Sequence, residues 1–154
     1  MEKEDLKKEA LKFLNEQVTA ALATVSVTGE PQVATIYYHV DNDFNFYFIT
    51  AKGSQKLNNI EVNKNVAIVV GFGPAPITVQ AGGLGEISYD FKEELIDKVL
   101  EKIKFHNIDQ WPLLQLEKKG LALLTVKPKW LTFLNFDKEG HPDTYKHDFH
   151  KLIP

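Results

Sequence analysis

The sequence of 154 residues contains neither cysteine nor arginine. Without thiolates the chain can form no disulfide, no cysteine nucleophile and no cysteine-ligated zinc or iron–sulfur centre. All 18 basic residues are lysine. An anionic ligand must therefore be held by ammonium groups, hydroxyls, backbone N–H groups or helix N-termini, and not by a bidentate guanidinium.

Long apolar runs and a strong charge imbalance are also missing. No stretch approaches 18 consecutive apolar residues, and the charged start MEKEDLKKEA lacks the apolar core of a secretory signal. The net charge of −3 offers no basic surface for nucleic acid. We therefore expect one globular domain over 1–154, in the cytoplasm, with neither nucleic acid nor membrane as a partner.

The apolar residues of the first half change their period after an N-terminal segment. Leu6, Ala10, Leu11 and Leu14 repeat at helical spacing and predict a helix over 4–18. Three β-rich runs separated by turn residues follow it, which indicates an antiparallel meander. The predicted strands are 21–28, 32–40 and 44–50, and the predicted turns are 29–31 and 41–43.

The second half predicts a short helix with Ser54 as its N-cap, followed by further strands and one longer helix. Glycines at 82, 83 and 85 suggest a bulge or sharp bend inside a strand. We expect a polar, irregular tail from Asp137. Because strands come in runs, the pattern favours a closed antiparallel barrel of about seven strands with helices outside. The predicted elements are a helix over 55–60, strands 65–72 and 77–88, a helix over 91–103, and strands 121–127 and 129–136 divided by Pro128.

The stretch from Phe48 to Lys56 contains the residues best suited to bind a ligand. A strand ends at Thr50, Gly53 provides a turn, Ser54 starts a helix and Lys56 lies in its first turn. Free N–H groups and the positive end of the helix dipole would meet there, which is a generic anion site. An ordinary capped helix with a solvated lysine is the alternative interpretation.

No side-chain cluster indicates catalysis or metal binding. His141, His147 and His150 match no ligand spacing, so a solvated tail is the simpler interpretation, with metal or haem ligation as the alternative. The glycines of 82–85 do not open a helix as a dinucleotide-binding loop would. We therefore expect neither a catalytic residue nor a metal ligand.

The order of four short motifs resembles the FMN-binding split-barrel superfamily, typified by pyridoxamine 5′-phosphate oxidase. Thr50 followed by Gly53-Ser54-Gln55-Lys56 resembles its phosphate motif. The other three motifs are Gly29-Glu30-Pro31, Asn63-Lys64-Asn65-Val66 with Lys64 where proline is usual, and Thr78-Val79-Gln80 leading to Gly83.

This resemblance implies a mainly β fold, a six- to seven-stranded antiparallel Greek-key split barrel with peripheral helices. It also implies a homodimer with two FMN sites at the interface. Backbone groups of Ala34, Thr35, Ile36 and Tyr37 would line the isoalloxazine, and Ile49 and Thr50 would flank the ribityl–phosphate end. Ser54, Gln55 and Lys56 would hold the phosphate, and Thr78 with Gln80 would reach the flavin from the neighbouring strand.

Two departures from the family pattern refine this expectation. The oxidases carry arginine where this chain has Ala34 and Gln55, which leaves Lys56 as the matched cation and Lys52 as a compensating one. The C-terminus also lacks the Arg-His-Arg pattern that binds substrate. We therefore expect an FMN-dependent oxidoreductase with an undefined small-molecule electron donor and acceptor, and not a genuine pyridoxamine-phosphate oxidase. The alternatives are a non-catalytic flavin- or haem-binding protein, a deazaflavin in place of FMN, and a barrel without a cofactor.

Overall fold

The computed structural model describes residues 2–71, 76–91, 93–105, 120–135 and 149–154. These residues form three helices and seven strands, in an order close to the predicted one. The helices are α1 (Lys3–Glu16), α2 (Gln55–Val62) and α3 (Glu93–Phe105). The strands are β1 (Thr19–Val25), β2 (Pro31–Val40), β3 (Phe46–Ala51), β4 (Asn65–Val70), β5 (Ile77–Ser88), β6 (Leu121–Asn135) and β7 (Phe149–Ile153).

Six strands close into an antiparallel barrel. The sheet order is β3-β2-β1-β4-β5-β6, and β3 pairs with β6 to complete the circle. α2 carries the chain from β3 to β4, and β4 pairs with β1 rather than with β3. The predicted antiparallel barrel with helices outside is confirmed.

Alternating side chains of the strands divide the apolar residues between two clusters. Those that point inward fill the barrel together with α1, with Tyr38, Phe46 and Phe48 among the most buried. The second cluster lies outside the barrel, where α3 covers β2 and β3 and buries Tyr37 and Ile49. Both clusters follow from strand periodicity, because successive residues face opposite sides of the sheet.

The turn between β2 and β3 is organised by one carboxylate. Asp41 accepts hydrogen bonds from the backbone N–H groups of Asp43 and Asn45, from the Asn45 amide and from the Tyr47 hydroxyl. Burial raises the pKa of Asp41, but these hydrogen bonds outweigh burial and lower it overall. Phe44 adopts a left-handed φ of 64°, so β3 begins at Phe46 and not at the predicted residue 44.

The prediction of two strands divided by Pro128 was wrong. β6 is continuous from Leu121 to Asn135, with a bulge where Gly82 pairs with Trp130 and Gly83 pairs with Pro128. Lys129 is therefore the extra residue of the bulge. A proline without an N–H group fits a strand at such a position, because a ladder hydrogen bond is already interrupted there.

The prediction of an irregular C-terminal tail was wrong for Phe149–Ile153, which form β7. β7 pairs with the second half of β6, from Leu131 to Leu134, and Leu152 is buried in the barrel cluster. Its apolar residues, Phe149, Leu152 and Ile153, do not alternate and are too few to identify a strand by periodicity. Residues 137–148 of the predicted tail lie outside the described residues.

Candidate functional site

A cleft of about 360 Å³ lies beside the start of β2 and the N-terminus of α2. β1 provides its floor, β2 one wall and the first turn of α2 the other. Of the residues predicted for the site, Ala34, Gln55 and Lys56 line this cleft. The full lining is Leu22, Thr24, Gln32, Val33, Ala34, Gln55 and Lys56.

The N-terminus of α2 leaves several donors available. Ser54 is the N-cap residue, as predicted, but its hydroxyl makes no capping hydrogen bond. Its buried Oγ has no hydrogen-bond partner in the part of the chain that the structure describes. The backbone N–H groups of Gln55 and Lys56 occupy the first two helical positions, where no intrahelical acceptor exists. This arrangement can serve an external acceptor such as an anionic oxygen.

Lys56 adds a cation beside these donors. Its ammonium donates to the Thr50 hydroxyl at 3.2 Å, which links α2 to the end of β3. Burial lowers the pKa of Lys56 below its usual value, since the charged form is partly desolvated. Among the residues described, the ion pairs are Lys7–Glu4 and Lys98–Glu94, so no carboxylate neutralises Lys56. An incoming anion would find a partly desolvated positive charge.

Three amide side chains form a hydrogen-bonded relay beneath the cleft. Asn59, on α2, is fully buried. Its Nδ2 donates to Thr24 Oγ1 at 2.9 Å and to Gln32 Oε1 at 2.7 Å, and its Oδ1 accepts from Gln55 Nε2 at 2.8 Å. The relay therefore ties α2 to β1 and β2.

Other predicted site residues on β2 and β3 do not direct their side chains into this cleft. Ile36 points into the barrel, and Tyr37 and Ile49 pack beneath α3. Thr35 is exposed, and Thr50 receives the Lys56 hydrogen bond. The predicted flavin contacts of residues 34–37 are backbone contacts, and they stay a prediction.

The predicted residues outside this region lie elsewhere on the barrel. The Lys52 ammonium is 5.6 Å from the ring centroid of Tyr89. Thr78 donates its hydroxyl to the Val70 carbonyl at 3.0 Å. Gln80 is exposed on the same outer face as Thr35, but β1 and β4 lie between their strands. The predicted flavin contacts of Thr78 and Gln80, and the compensating charge predicted for Lys52, therefore stay predictions.

The histidines provide no metal centre in the described ranges. No group of three or more His, Asp or Glu residues is placed there to hold an ion. His39 is partly buried, and desolvation, followed by the charges of Lys102 and Lys98, lowers its pKa. His106, His141 and His147 lie outside the described residues, and His150 belongs to β7.

Five residues of the cleft and its relay were missed: Leu22, Thr24, Gln32, Val33 and Asn59. Two of them carried a signal in the sequence. Thr24 takes the inward position of a strand in which Ala20 and Leu22 are apolar, and Asn59 lies between Leu57 and Ile60 on the inner side of a short helix. Polar residues at core positions need partners, so their positions indicated a buried network.

Comparison with known proteins agrees with this geometry. The family model described as pyridoxamine 5′-phosphate oxidase matches residues 6–135, which span the whole barrel and the cleft. The chain belongs to the pyridoxamine 5′-phosphate oxidase family. The predicted superfamily is thereby confirmed, while the ligand contacts predicted for the motif around Ser54 stay a prediction.

Several solved structures with the same fold are named as different kinds of protein. A conserved hypothetical protein, Rv2991 from Mycobacterium tuberculosis, has a TM-score of 0.70 at 21% identity, with 88% of each chain covered. An F420 reductase has a TM-score of 0.62 at 24% identity, with 78% of this chain and 93% of that chain covered. HutZ, a haem storage protein from Vibrio cholerae, has a TM-score of 0.61 at 20% identity, with 80% and 91% covered. These likenesses establish the fold.

The search among curated proteins gave no match. Of the helices that the structure describes, none combines the length and apolar character needed to cross a bilayer.

Proposed function

We propose that this family member is an FMN-dependent oxidoreductase whose substrate is undefined and differs from pyridoxamine phosphate. The observation that carries the proposal is the set of donors at the N-terminus of α2. The buried Ser54 Oγ has no partner in the described part of the chain, two first-turn backbone N–H groups have no intrahelical acceptor, and Lys56 lines the cleft while it donates to Thr50. A phosphate supplies acceptor oxygens for all of these donors at once.

The residues present fit the phosphate of FMN, with two cations fewer than the arginine-bearing sites of the family's oxidases. Ser54, Lys56 and the first-turn N–H groups would hold the phosphate, and the backbone of β2 beyond Ala34 would support the ring. Ala34 and Gln55 provide no charge at the positions where the family's oxidases have arginine. Each missing charge-assisted hydrogen bond costs about 1.5–3 kcal/mol, so we expect weak to moderate FMN affinity.

The chain's own contribution would be placement and electrostatics. A bound flavin supplies hydride or electron transfer, so no side chain is needed as nucleophile or general base. The described residues around the cleft accordingly offer hydroxyl, amide and ammonium groups, with Leu22 and Val33 as apolar contacts. The exposed Val33 side chain would give an occupant apolar contact beside these polar groups.

A second copy of the chain would complete the site. One cross-strand row on the outer face contains Val33, Ala23, Ala67, Gly82 and Trp130. Val33 is 71% exposed and Trp130 41% exposed, so the row forms an apolar strip that starts at the cleft wall. Such a strip favours association, and a homodimer would cover the open side of the cleft.

An absorbance spectrum from 300 to 700 nm followed by FMN titration tests the flavin site. We expect flavin bands or quenching of FMN fluorescence, with binding weakened about tenfold or more in Lys56→Ala, since a charge-assisted contact is lost. Lys127→Ala is the matched control, because Lys127 is an exposed lysine outside this cleft. Absence of binding at tens of micromolar FMN, or equal loss in both variants, would contradict the proposal.

Turnover separates the enzyme from a non-catalytic flavin protein. Reduction of the bound flavin by NAD(P)H, followed by reoxidation with an added acceptor, supports the oxidoreductase. A flavin-bound protein that shows neither step supports the storage or sensor alternative. A Soret band on haem addition, without flavin binding, supports the haem-binding alternative.

A further inference from the structure

The Gln32–Asn59–Gln55 relay connects the two walls of the cleft. Gln32 comes from β2 and Gln55 from the first turn of α2, and both line the cleft. Asn59 has no exposed surface and contacts both amides, as well as the Thr24 hydroxyl. All three contacts have heavy-atom distances of 2.7 to 2.9 Å, so the relay is well formed.

The relay has two arrangements that conserve every contact. An amide has nearly the same shape when its oxygen and nitrogen exchange places. If Gln32, Asn59 and Gln55 all turn over together, each of the three contacts still joins a donor to an acceptor, and the Thr24 hydroxyl changes from acceptor to donor. The second N–H of Asn59 then has no partner in the relay, so the reversed arrangement needs an additional interaction, such as that with an anion, to be favoured. If only one amide turns over, two N–H groups or two oxygens face each other in a buried place. Such a mismatch is costly, so the three amides change together.

The two arrangements present opposite groups to the cleft. In the structure, Gln32 uses its oxygen and Gln55 uses its nitrogen to contact Asn59. The Gln32 amide nitrogen and the Gln55 amide oxygen are therefore left for an occupant. In the alternative arrangement, Gln32 offers its oxygen and Gln55 its nitrogen.

We propose that Asn59 is a positioning residue that couples the anion end of the cleft to the β2 wall. An anion at Ser54 and Lys56 favours the arrangement in which Gln55 presents N–H groups, because an amide oxygen would face negative charge. Asn59 then turns over, and Gln32 presents its oxygen to the rest of the occupant. This inference rests on the proposed function insofar as flavins are the occupants used to detect it.

Comparison of FMN with riboflavin tests the coupling, because the two carry the same ring and differ in the phosphate. We expect the visible absorption bands of the two bound flavins to differ in wild-type protein, and inorganic phosphate to shift bound riboflavin towards the FMN spectrum. In Asn59→Leu both effects disappear, while Asn58→Leu, at an exposed neighbour on the same helix, keeps them. Asn59→Asp is a second variant of nearly unchanged shape, and it is measured at a pH at which its carboxyl is ionised, since burial raises the pKa of a carboxyl group. The ionised carboxylate only accepts, so both glutamines must donate to it and the relay cannot reverse.

The outcomes separate the coupling from the flavin site itself. Identical bound spectra of FMN and riboflavin in wild-type protein, or a difference that survives in Asn59→Asp, would overturn the coupling while leaving flavin binding intact. If neither flavin binds, the proposed function fails, and the relay is tested by NMR of the side-chain amides during phosphate titration. Phosphate should then shift the Gln32 amide in wild-type protein and leave it unchanged in Asn59→Asp. No shift of the Gln32 amide in wild-type protein overturns the proposal.

Discussion

At the scale of single residues, Lys102 is unusual because its ammonium group is largely buried between α3 and α1. Its ammonium lies 3.9 Å from the ring centroid of Tyr38 and donates to the Leu14 carbonyl at 3.2 Å. The Tyr38 hydroxyl donates to the same carbonyl. Burial lowers the pKa of Lys102 to about 8. This side chain therefore joins α3 to the last turn of α1, where a cation also favours the helix dipole.

The lowered pKa predicts that the free energy of unfolding changes with pH in the alkaline range. Between pH 8 and 9.5 the folded protein has released the Lys102 proton, while an unfolded lysine, with a pKa near 10.4, retains it. Because the unfolded state then binds more protons, the free energy of unfolding rises with pH, by at most about 1.4 kcal/mol per pH unit. Urea unfolding at pH 7.5 and 9.5 measures this rise.

Lys102→Met should remove that rise, because methionine fills a similar volume and does not titrate. Lys98→Met, one turn earlier on α3, is the control and should retain it, since Lys98 is an exposed partner of Glu94. Equal pH dependence in wild-type protein and Lys102→Met would show that Lys102 keeps its proton in the folded state.

The sequence located the site residues that belong to local motifs and missed those that depend on tertiary pairing. Ser54 and Lys56 stand within three positions of each other at a recognisable helix start, so local spacing was sufficient. Asn59 meets Thr24 and Gln32 only because α2 folds back over β1 and β2. A sequence pattern can indicate that Asn59 is buried, but it does not identify a partner 35 residues away.

At the scale of elements, the bulge in β6 determines which partner strand each half of β6 contacts. Residues 121–126 pair with β3, and Leu131 to Leu134 pair with β7. Pro128 lies between the two halves, and β5 pairs with both. The glycines of β5 predicted a bulge or bend inside a strand, and the register shift between Gly82 and Gly83 confirms it. Pro128 was interpreted as the end of a strand, because a proline does not distinguish a strand end from a bulge when both remove one ladder hydrogen bond.

The bulge predicts unequal effects at two adjacent glycines. A Cβ on Gly83 would lie 2.5 Å from the Lys127 carbonyl oxygen, so the backbone of β6 would have to move. A Cβ on Gly82 would meet the Trp130 indole at the same distance, and that partly exposed side chain can rotate away. We expect Gly83→Ala to lower the free energy of unfolding by roughly 1–3 kcal/mol and Gly82→Ala by less.

Denaturant unfolding of both variants measures this difference. Gly29→Ala is a third variant at which no atom lies within 4 Å of the added Cβ, so it reports backbone strain at a φ of 86° without a steric clash. If Gly82→Ala proves the more destabilising of the adjacent pair, the pairing of Gly83 with Pro128 is wrong.

For the whole molecule, the exposed strip from Val33 to Trp130 is the feature that bears on assembly. It extends over five neighbouring strands, and the Trp130 indole lies over Gly82 within it. Apolar and aromatic side chains of this kind are favoured in homodimer interfaces. The strip could not be foreseen from any one segment, because its residues come from positions 23, 33, 67, 82 and 130.

Val33→Lys should weaken a dimer built on this strip, since it places a charge in the apolar interface. Sedimentation equilibrium over a range of protein concentrations measures the dissociation constant, which we expect to rise at least tenfold. Val62→Lys is the control, because Val62 is also exposed but lies at the end of α2, outside the strip. A monomeric wild-type protein at high micromolar concentration would refute the proposed dimer.

The closure of the barrel has a consequence for folding kinetics. β3 and β6 pair Phe46 with Val126 and Ala51 with Leu121, so the pairing partners are 70 to 80 residues apart in the chain. β1, β2 and β3 pair with near neighbours and can assemble early. Long-range contacts require the entropy of a large loop to be lost before they contribute energy, which slows folding to milliseconds or longer. The β3–β6 seam is therefore expected to form late, so substitutions within it should accelerate unfolding more than they slow folding.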